Sequence, residues 1–145
     1  MIKVAVLGFG TVGSGVVDVI YDNAEIIEKN AGSRIEVSYI LDIRDYPDSP
    51  YANKVVHDFA VIENDPEIRV VVETIGGLKP AFDFTKRALC AGKSVVTSNK
   101  ELVATHGAEL LALAKEHNVN YLFEASVGGG IPIIRPMSQC LAANK

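Results

Sequence analysis

Short apolar runs alternate with segments of helical periodicity along the whole chain. The runs are rich in β-branched or aromatic residues, which is typical of buried strands, and they lie at residues 2–7, 35–43, 68–73, 95–97 and 121–123. Between them, apolar residues recur at the spacing of one helix face over residues 13–30, 61–64, 80–91 and 98–117. A break is expected near Gly107. Repeated strand–helix units predict an α/β fold with a doubly wound parallel sheet covered on both faces.

Length and composition agree with one globular domain. The chain has 145 residues, of which 48% are hydrophobic and 22% charged. Its net charge of −4 offers no basic surface for nucleic acid, and no run approaches the about 20 apolar residues of a membrane span. Cys90 and Cys140 form neither a disulfide framework nor a metal motif, which indicates a cytoplasmic protein. Cys90 lies in a helical pattern, and we expect it to be buried.

The most informative local pattern is the stretch LGFGTVG at residues 7–13. Gly8, Gly10 and Gly13 have the spacing G-x-G-x-x-G, after the first predicted strand and before the first predicted helix. In this context Gly8 permits a tight turn, Gly10 lets a pyrophosphate approach the backbone, and Gly13 lets the helix pack closely on the strand. The helix N-terminus would offer free N–H groups to phosphate. The pattern predicts dinucleotide binding, with a plain glycine-rich turn as the alternative.

The end of the second predicted strand bears on the choice of dinucleotide. An acidic residue there binds the ribose 2′-hydroxyl of NAD, whereas an arginine accommodates the 2′-phosphate of NADP. Asp42 and Asp45 favour NAD, and Arg44 favours NADP. All three could also be solvated loop charges. We expect Arg44 to meet the phosphate, which implies NADP or the use of both cofactors.

Three further segments follow predicted strands, and ligands of a doubly wound sheet lie outside the carboxyl ends of its strands. Residues 74–77 begin with Thr74 and contain two glycines. These glycines either let the backbone lie close to the cofactor or only end the strand. Lys100 is either an ordinary exposed lysine or a partner for a carbonyl or phosphate oxygen. Residues 124–132 place Glu124 near three glycines, which fits an interdomain hinge or a cation site with oxygen ligands.

Four motifs together resemble those of homoserine dehydrogenases. In chain order they are VAVLGFGTVGSGV, VVVETIGG, SVVTSNKELVA and YLFEASVGGGIPII. The resemblance covers nearly the whole chain, and the first and last motifs are the most specific. It implies a Rossmann-type fold and an oxidoreductase that interconverts L-homoserine and L-aspartate 4-semialdehyde with NAD(P)H, in the biosynthesis of threonine and methionine.

The motifs and the resemblance together imply roles for individual residues. The expected cofactor-binding positions are Gly8, Phe9, Gly10, Thr11, Val12 and Gly13 around the pyrophosphate, Arg44 at the 2′-phosphate, Thr74, and Ser98 and Lys100 near the nicotinamide. Lys100 would also support catalysis near the reacting carbonyl. A sodium ion is implied at Glu124, Val127, Gly129 and Ile131, largely through backbone oxygens, which favours the cation site over a simple hinge.

The resemblance also implies a division of the enzyme into domains. We expect residues 1–130 to form the NAD(P)-binding domain and residues 131–145 to begin the connection to an absent substrate and dimerisation domain, which carries the main catalytic residues. The chain alone would then bind NADP(H) with negligible turnover. A small amino-acid substrate and a homodimer are implied for the full-length enzyme. The alternatives are a free-standing nucleotide-sensing module and the nucleotide-binding half of another semialdehyde reductase.

Overall fold

The computed structural model describes residues 1–123 and shows a six-stranded sheet in which every strand pair is parallel. The strands are β1 (Ile2–Leu7), β2 (Ile35–Leu41), β3 (Val55–Val56), β4 (Ile68–Glu73), β5 (Ser94–Thr97) and β6 (Tyr121–Phe123). Their spatial order is β3-β2-β1-β4-β5-β6. The predicted doubly wound α/β sheet is confirmed, with β3 as a short strand that the sequence pattern did not indicate.

Helices cover both faces of the sheet. They are α1 (Thr11–Asp22), α2 (Ala24–Ala31), α3 (Phe59–Glu63), α4 (Ala81–Cys90) and α5 (Lys100–Glu116). Val70 of β4 packs in the core cluster with α1 and α2, whereas its neighbour Val71 packs in the cluster with α3, α4 and α5. Because successive strand residues point to opposite faces, burial on both sides explains the unbroken apolar run of β4. In the described residues, no helix has both the length and the apolar character needed to cross a membrane.

Two helix predictions need correction. The segment predicted as one helix over residues 13–30 is two, because α1 begins at Thr11 and ends at Asp22, and Asn23 separates it from α2. The Asn23 side chain donates a hydrogen bond to the carbonyl of Val19 (3.0 Å), and such bonds compete with the helical ladder. The predicted break near Gly107 is also wrong, since α5 is continuous and buries that residue. One glycine costs a helix only about 1 kcal/mol, which packing of the buried face offsets.

Two smaller expectations are also wrong. β2 ends at Leu41, where its pairing with β1 stops, and Ile43 beyond it is 94% exposed. Cys90 is exposed at the last position of α4, because that helix turns a different set of side chains to the core. The short helix predicted at residues 61–64 is present as α3.

The strand order creates a crevice at one edge of the sheet. β1 lies between β2 and β4, so the chain leaves β1 in one direction and later adds strands on its other side. The loops that follow β1 and β4 therefore diverge at the carboxyl edge, which is where doubly wound sheets bind ligands. Three segments meet there, at residues 8–10, 42–44 and 74–77.

Candidate nucleotide-binding site

The turn after β1 is built on Gly8 and is held by both neighbouring strands. Gly8 has a φ of +93°, a left-handed conformation that residues with a side chain rarely adopt. Its N–H donates to the carbonyl of Leu41 at the end of β2 (2.7 Å). On the other side, the hydroxyl of Thr74 donates to the carbonyl of Leu7 (2.7 Å). The position of the turn is therefore fixed by β2 and by the residue after β4.

Gly13 and Gly10 lack side chains for different reasons. A Cβ atom on Gly13 would overlap the carbonyl oxygen of Gly8 and lie 2.9 Å from the Thr74 hydroxyl oxygen. Only a glycine therefore lets α1 approach β1 this closely. A Cβ atom on Gly10 would have no neighbour within 4 Å. Packing does not require glycine at position 10, and the space beside it is open to a ligand.

The N-terminus of α1 begins at this open space. Gly10 is its N-cap residue and supplies no side chain to bond the N–H groups of the first turn. Thr11 and Val12 are exposed, and the first turn carries no acidic residue. Unbonded N–H groups and the helix dipole give this end a partial positive charge. The arrangement is suited to a phosphate group.

A cavity of about 340 Å³ opens beside the turn, across the carboxyl ends of β1, β2 and β4. Its lining is mostly apolar or backbone, with a few polar side chains, and consists of Gly8, Phe9, Gly10, Leu41, Asp42, Ile43, Arg44, His57, Thr74, Ile75, Pro80 and Phe84. Such a cavity suits a small organic group that is largely apolar and carries a polar or anionic substituent.

The carboxylate of Asp42 is saturated by hydrogen bonds from the protein. Oδ2 accepts from the N–H of Phe9 (2.9 Å) and from the hydroxyl of Tyr46 (3.1 Å). Oδ1 accepts from the N–H of Arg44 (2.9 Å) and from its Nε (3.4 Å). Burial opposes ionisation, but these hydrogen bonds outweigh it and hold the pKa of Asp42 below its ordinary value. A carboxylate has about four acceptor positions, so Asp42 has none left for a ligand hydroxyl.

Arg44 presents its guanidinium at the same cavity. The side chain is 66% exposed and lies 5.6 Å from the centre of the Tyr46 ring. Within residues 1–123, no hydrogen bond engages its terminal Nη atoms, so they are free to meet an anion.

His57 lies against the carbonyl of Asp42 (2.7 Å) and Oδ1 of Asp45 (2.8 Å), and these contacts raise the pKa of His57. Asp45 is thus paired with a histidine.

A family model described as "Homoserine dehydrogenase, NAD binding domain" matches residues 8–124. The chain belongs to the homoserine dehydrogenase family. A homoserine dehydrogenase of Pseudomonas aeruginosa is 43% identical over 145 residues, which cover 99% of this chain and 33% of that protein. One from Lactococcus lactis is 40% identical over 150 residues, covering 99% of this chain and 35% of the relative. The chain thus spans about a third of the length of the homoserine dehydrogenases it matches.

Solved structures of homoserine dehydrogenases share the fold. The enzyme from Thiobacillus denitrificans superposes with a TM-score of 0.79 at 40% identity, covering 85% of this chain and 29% of that one. A hyperthermophilic archaeal homoserine dehydrogenase mutant in complex with NADPH gives a TM-score of 0.66 at 26% identity, covering 85% of this chain and 43% of that one. The described residues therefore correspond to the nucleotide-binding domain of the family.

The structure brings only part of the predicted homoserine dehydrogenase site into the cavity. Five of the predicted cofactor-binding residues line it, namely Gly8, Phe9, Gly10, Arg44 and Thr74. Phe9 is only 8% exposed, and its ring packs edge-on against Tyr46. The predicted positions Thr11, Val12 and Gly13 lie in the first turn of α1, beside the cavity.

The predicted nicotinamide-end residues lie across β4 from this cavity. Ser98 is half-buried after β5, and Lys100 is exposed at the first position of α5. Asn99 lies between them, is 7% exposed and caps the helix by accepting the N–H of Leu102 (3.0 Å). Asn99 is therefore the N-cap residue of α5. The roles of Ser98 and Lys100 in a homoserine dehydrogenase stay predictions.

The predicted sodium site of the homoserine dehydrogenase resemblance lies outside the described residues. Its four positions, Glu124, Val127, Gly129 and Ile131, all follow Phe123, as does the predicted domain boundary at residue 131. Over residues 1–123, no three His, Cys, Asp or Glu side chains cluster closely enough to hold a metal ion.

Sequence reasoning missed several residues that line the cavity. Pro80 and Phe84 come from the start of α4, and Ile75 from the loop before it. His57 comes from the segment after β3, where the apolar pattern is too short to indicate a strand. His57 lies near the residues after β2 because β3 pairs in parallel with β2, and only the structure shows that pairing.

Proposed function

We propose that this chain holds the nicotinamide dinucleotide of a homoserine dehydrogenase, which interconverts L-homoserine and L-aspartate 4-semialdehyde by hydride transfer, and that it prefers NADP to NAD. The observation that carries the proposal is the uncapped N-terminus of α1 at Gly10, open to ligand where the strand order reverses. The family match favours this function over a free-standing nucleotide-sensing module or another semialdehyde reductase. The NADPH complex of the archaeal relative supports the choice of cofactor.

The described residues fit a dinucleotide along its length. The N–H groups of Thr11 and Val12 would hold the pyrophosphate, beside the open space at Gly10. The cavity would take the adenosine half, with Arg44 at the 2′-phosphate. The nicotinamide half would then extend across β4 toward Ser98 and Lys100, because the two halves leave the pyrophosphate in opposite directions.

The hydrogen bonds of Asp42 support the preference for NADP. In NAD-specific sites an acidic residue at the end of the second strand accepts a hydrogen bond from the ribose 2′-hydroxyl. Here both oxygens of Asp42 are already occupied by Phe9, Arg44 and Tyr46. Arg44 is exposed and its Nη atoms can meet a phosphate. NAD would therefore gain no hydrogen bond from Asp42, whereas NADP would gain an ion pair with Arg44.

The chemistry is divided between cofactor and protein. The nicotinamide dinucleotide, when bound, supplies or accepts the hydride. Lys100 would place its ammonium near the reacting carbonyl oxygen, where a cation stabilises the negative charge that develops there. The small amino-acid substrate, the homodimer and the sodium site at Glu124, Val127, Gly129 and Ile131 belong to the same proposal.

Titration calorimetry of the 145-residue chain with NADPH and NADH tests this function. Arg44→Ala should weaken NADPH binding about 10- to 150-fold, the equivalent of the about 1.5–3 kcal/mol of a hydrogen bond to a charged group. The affinity for NADH should change by less than about twofold. Arg34→Ala is the matched control, because Arg34 is also an exposed arginine and pairs with Glu28 at the opposite end of β2.

The outcomes separate clearly. If neither dinucleotide binds the unchanged chain, the proposed function is wrong. If Arg44→Ala weakens NADPH and NADH equally, the chain binds dinucleotides but Arg44 does not read the 2′-phosphate. Repeating both titrations in sodium and in potassium salts tests the sodium site. If the site exists, the dinucleotide should bind more tightly, or its titration should change measurably, with sodium and not with potassium.

A further inference from the structure

A buried carboxylate at the end of β4 joins the loop after β4 to the turn after β5. Glu73 has no exposed surface, and no lysine or arginine of residues 1–123 pairs with it. Its Oε2 accepts hydrogen bonds from the N–H groups of Ile75 (2.8 Å) and Gly76 (3.0 Å). Its Oε1 accepts from the hydroxyl of Thr97 at the end of β5 (2.7 Å). Glu73 therefore shapes its own loop and also contacts the neighbouring strand.

The Thr97 hydroxyl links Glu73 to the turn before α5 through a second hydrogen bond. Its oxygen accepts the N–H of Asn99 (2.9 Å), so its single hydrogen is directed to Glu73. The hydroxyl thus has one orientation that satisfies both neighbours. Because all three residues are buried, losing either hydrogen bond would leave an unsatisfied polar group.

Asn99 closes the connection from the other side. Its Nδ2 donates to the carbonyl of Gly77 (2.7 Å), while its Oδ1 accepts the N–H of Leu102 and caps α5. The loop at residues 75–77 and the turn at residues 98–100 are therefore linked twice, once through Glu73 and Thr97 and once through Asn99. We name this set of three residues, Glu73, Thr97 and Asn99, the loop clamp.

The loop clamp lies away from Arg44 and beside Ser98 and Lys100. None of its three residues lines the cavity at the ends of β1, β2 and β4. Thr74, the neighbour of Glu73, bonds instead to the carbonyl of Leu7 and holds the turn at Gly8. Ile75, whose N–H donates to Glu73, does line that cavity, but the turn at Gly8 and the backbone of Arg44 are held by hydrogen bonds that do not involve the loop clamp.

We propose that Glu73, Thr97 and Asn99 are positioning residues that hold the loop after β4 and the turn after β5 in register, so that they set affinity for the nicotinamide half of the dinucleotide and not for its adenosine half. The proposal rests on the proposed function. It follows because a dinucleotide that reaches from Arg44 past Gly10 must cross the two linked loops. A preorganised pair of loops binds without a further ordering cost.

The test compares two ligands on the 145-residue chain. NADPH needs both halves of the crevice, whereas adenosine 2′,5′-bisphosphate needs only the adenosine side and Arg44. Thr97→Val removes the hydroxyl with little change of shape, and should weaken NADPH binding about 10-fold while leaving the bisphosphate within about twofold. Thr97→Ser keeps a hydroxyl and should restore NADPH binding.

Thr85→Val is the matched control. Thr85 is a fully buried threonine of α4 whose hydroxyl has no hydrogen-bond partner within the described part of the chain. The same substitution there should leave both affinities unchanged. Because Thr97→Val could unfold the chain, Asn99→Ser provides a second variant. Serine is an equally good N-cap residue, but it cannot reach the carbonyl of Gly77, so the selective loss of NADPH affinity should recur.

Each result has one meaning. Selective loss of NADPH affinity in Thr97→Val or Asn99→Ser supports the loop clamp. Equal loss of both ligands, or unchanged NADPH affinity in a folded variant, overturns it while leaving the proposed function intact. If the unchanged chain binds the bisphosphate but not NADPH, the nicotinamide half is not held and the proposal also falls. If it binds neither, the proposed function fails and the clamp with it.

Discussion

Adding one methyl group at Gly10 or at Gly13 should separate ligand binding from folding. At Gly13 the new Cβ would overlap the Gly8 carbonyl oxygen and lie 2.8 Å from its carbonyl carbon. Neither atom can retreat easily, because the N–H of Gly8 is bonded to Leu41 and its neighbour Leu7 is bonded to Thr74. α1 must therefore move away from β1, which loosens the packing of its fully buried Val16 and Val17.

The cost of Gly13→Ala follows from two opposing terms. Overpacking of a core costs about 1–3 kcal/mol, and an overlap with fixed backbone belongs at the upper end of that range. Alanine returns about 1 kcal/mol of helix propensity relative to glycine. The free energy of unfolding should fall by about 2 kcal/mol, and the melting temperature by roughly 4–8 °C for a domain of this size.

Gly10→Ala should behave in the opposite way. Its Cβ would have no neighbour within 4 Å and the φ of −77° suits alanine, so the cost comes only from alanine being a poorer N-cap residue than glycine, and the free energy of unfolding should fall by about 1 kcal/mol at most. The methyl group would occupy the space proposed for the pyrophosphate, and NADPH affinity should fall at least about 10-fold.

Urea unfolding followed by circular dichroism measures the stability of both variants, and NADPH fluorescence measures binding. The chain has no tryptophan, so the nucleotide signal is free of indole emission. The reasoning is refuted if Gly10→Ala binds NADPH as the unchanged chain does, or if Gly13→Ala is as stable as the unchanged chain.

Two further predictions concern pH. Asp42→Asn should lower the free energy of unfolding by about 2 kcal/mol at pH 7, since it weakens charge-assisted hydrogen bonds to Phe9 and Arg44. The pKa of Asp42 in the folded chain lies below its ordinary value of 3.8. The difference in free energy of unfolding between the unchanged chain and Asp42→Asn is therefore fully present above pH 3.8, and it shrinks as the pH falls through the folded pKa. Urea unfolding of both proteins at pH 7 and at pH 3 measures this change. For His57, an NMR titration should give a pKa above 6.5 that Asp45→Asn lowers, and an unchanged pKa in that variant would contradict the pairing. The pairing stabilises the fold below pH 6.5 and is lost as the pH rises through the folded pKa.

Most of the sheet could be predicted from the sequence because its strands are buried on both faces. The continuous apolar runs of β1 and β4 are unambiguous, and the glycine spacing after β1 identifies the crevice. β3 could not be predicted, because Val55 and Val56 are half-buried residues of a two-residue strand. Asn23 divides a helix through a local side-chain hydrogen bond that apolar periodicity does not register.

The candidate site was harder to predict, because a residue type does not reveal which hydrogen bonds it has already made. From the sequence, Asp42 and Asp45 favoured NAD, and Arg44 favoured NADP. The structure shows Asp42 saturated by three neighbours and Asp45 paired with His57, and these partners come from the turn after β1, from the loop after β2 and from the segment after β3. Only tertiary contacts distinguish these carboxylates from ligand-binding ones.

The same distinction applies along the whole carboxyl edge of the sheet. Diverging loops at a point where the strand order reverses leave backbone groups without a ladder partner, and buried groups of this kind must be satisfied. In this chain, polar side chains at the strand ends make hydrogen bonds to those backbone groups. The pairs are Asp42 with Phe9, Glu73 with Ile75 and Gly76, Thr74 with Leu7, and Thr97 with Asn99. These residues build the crevice and have little hydrogen-bonding capacity left for a ligand. Under the proposed function, recognition therefore depends on groups that folding leaves unbonded, chiefly the first N–H groups of α1 and the guanidinium of Arg44.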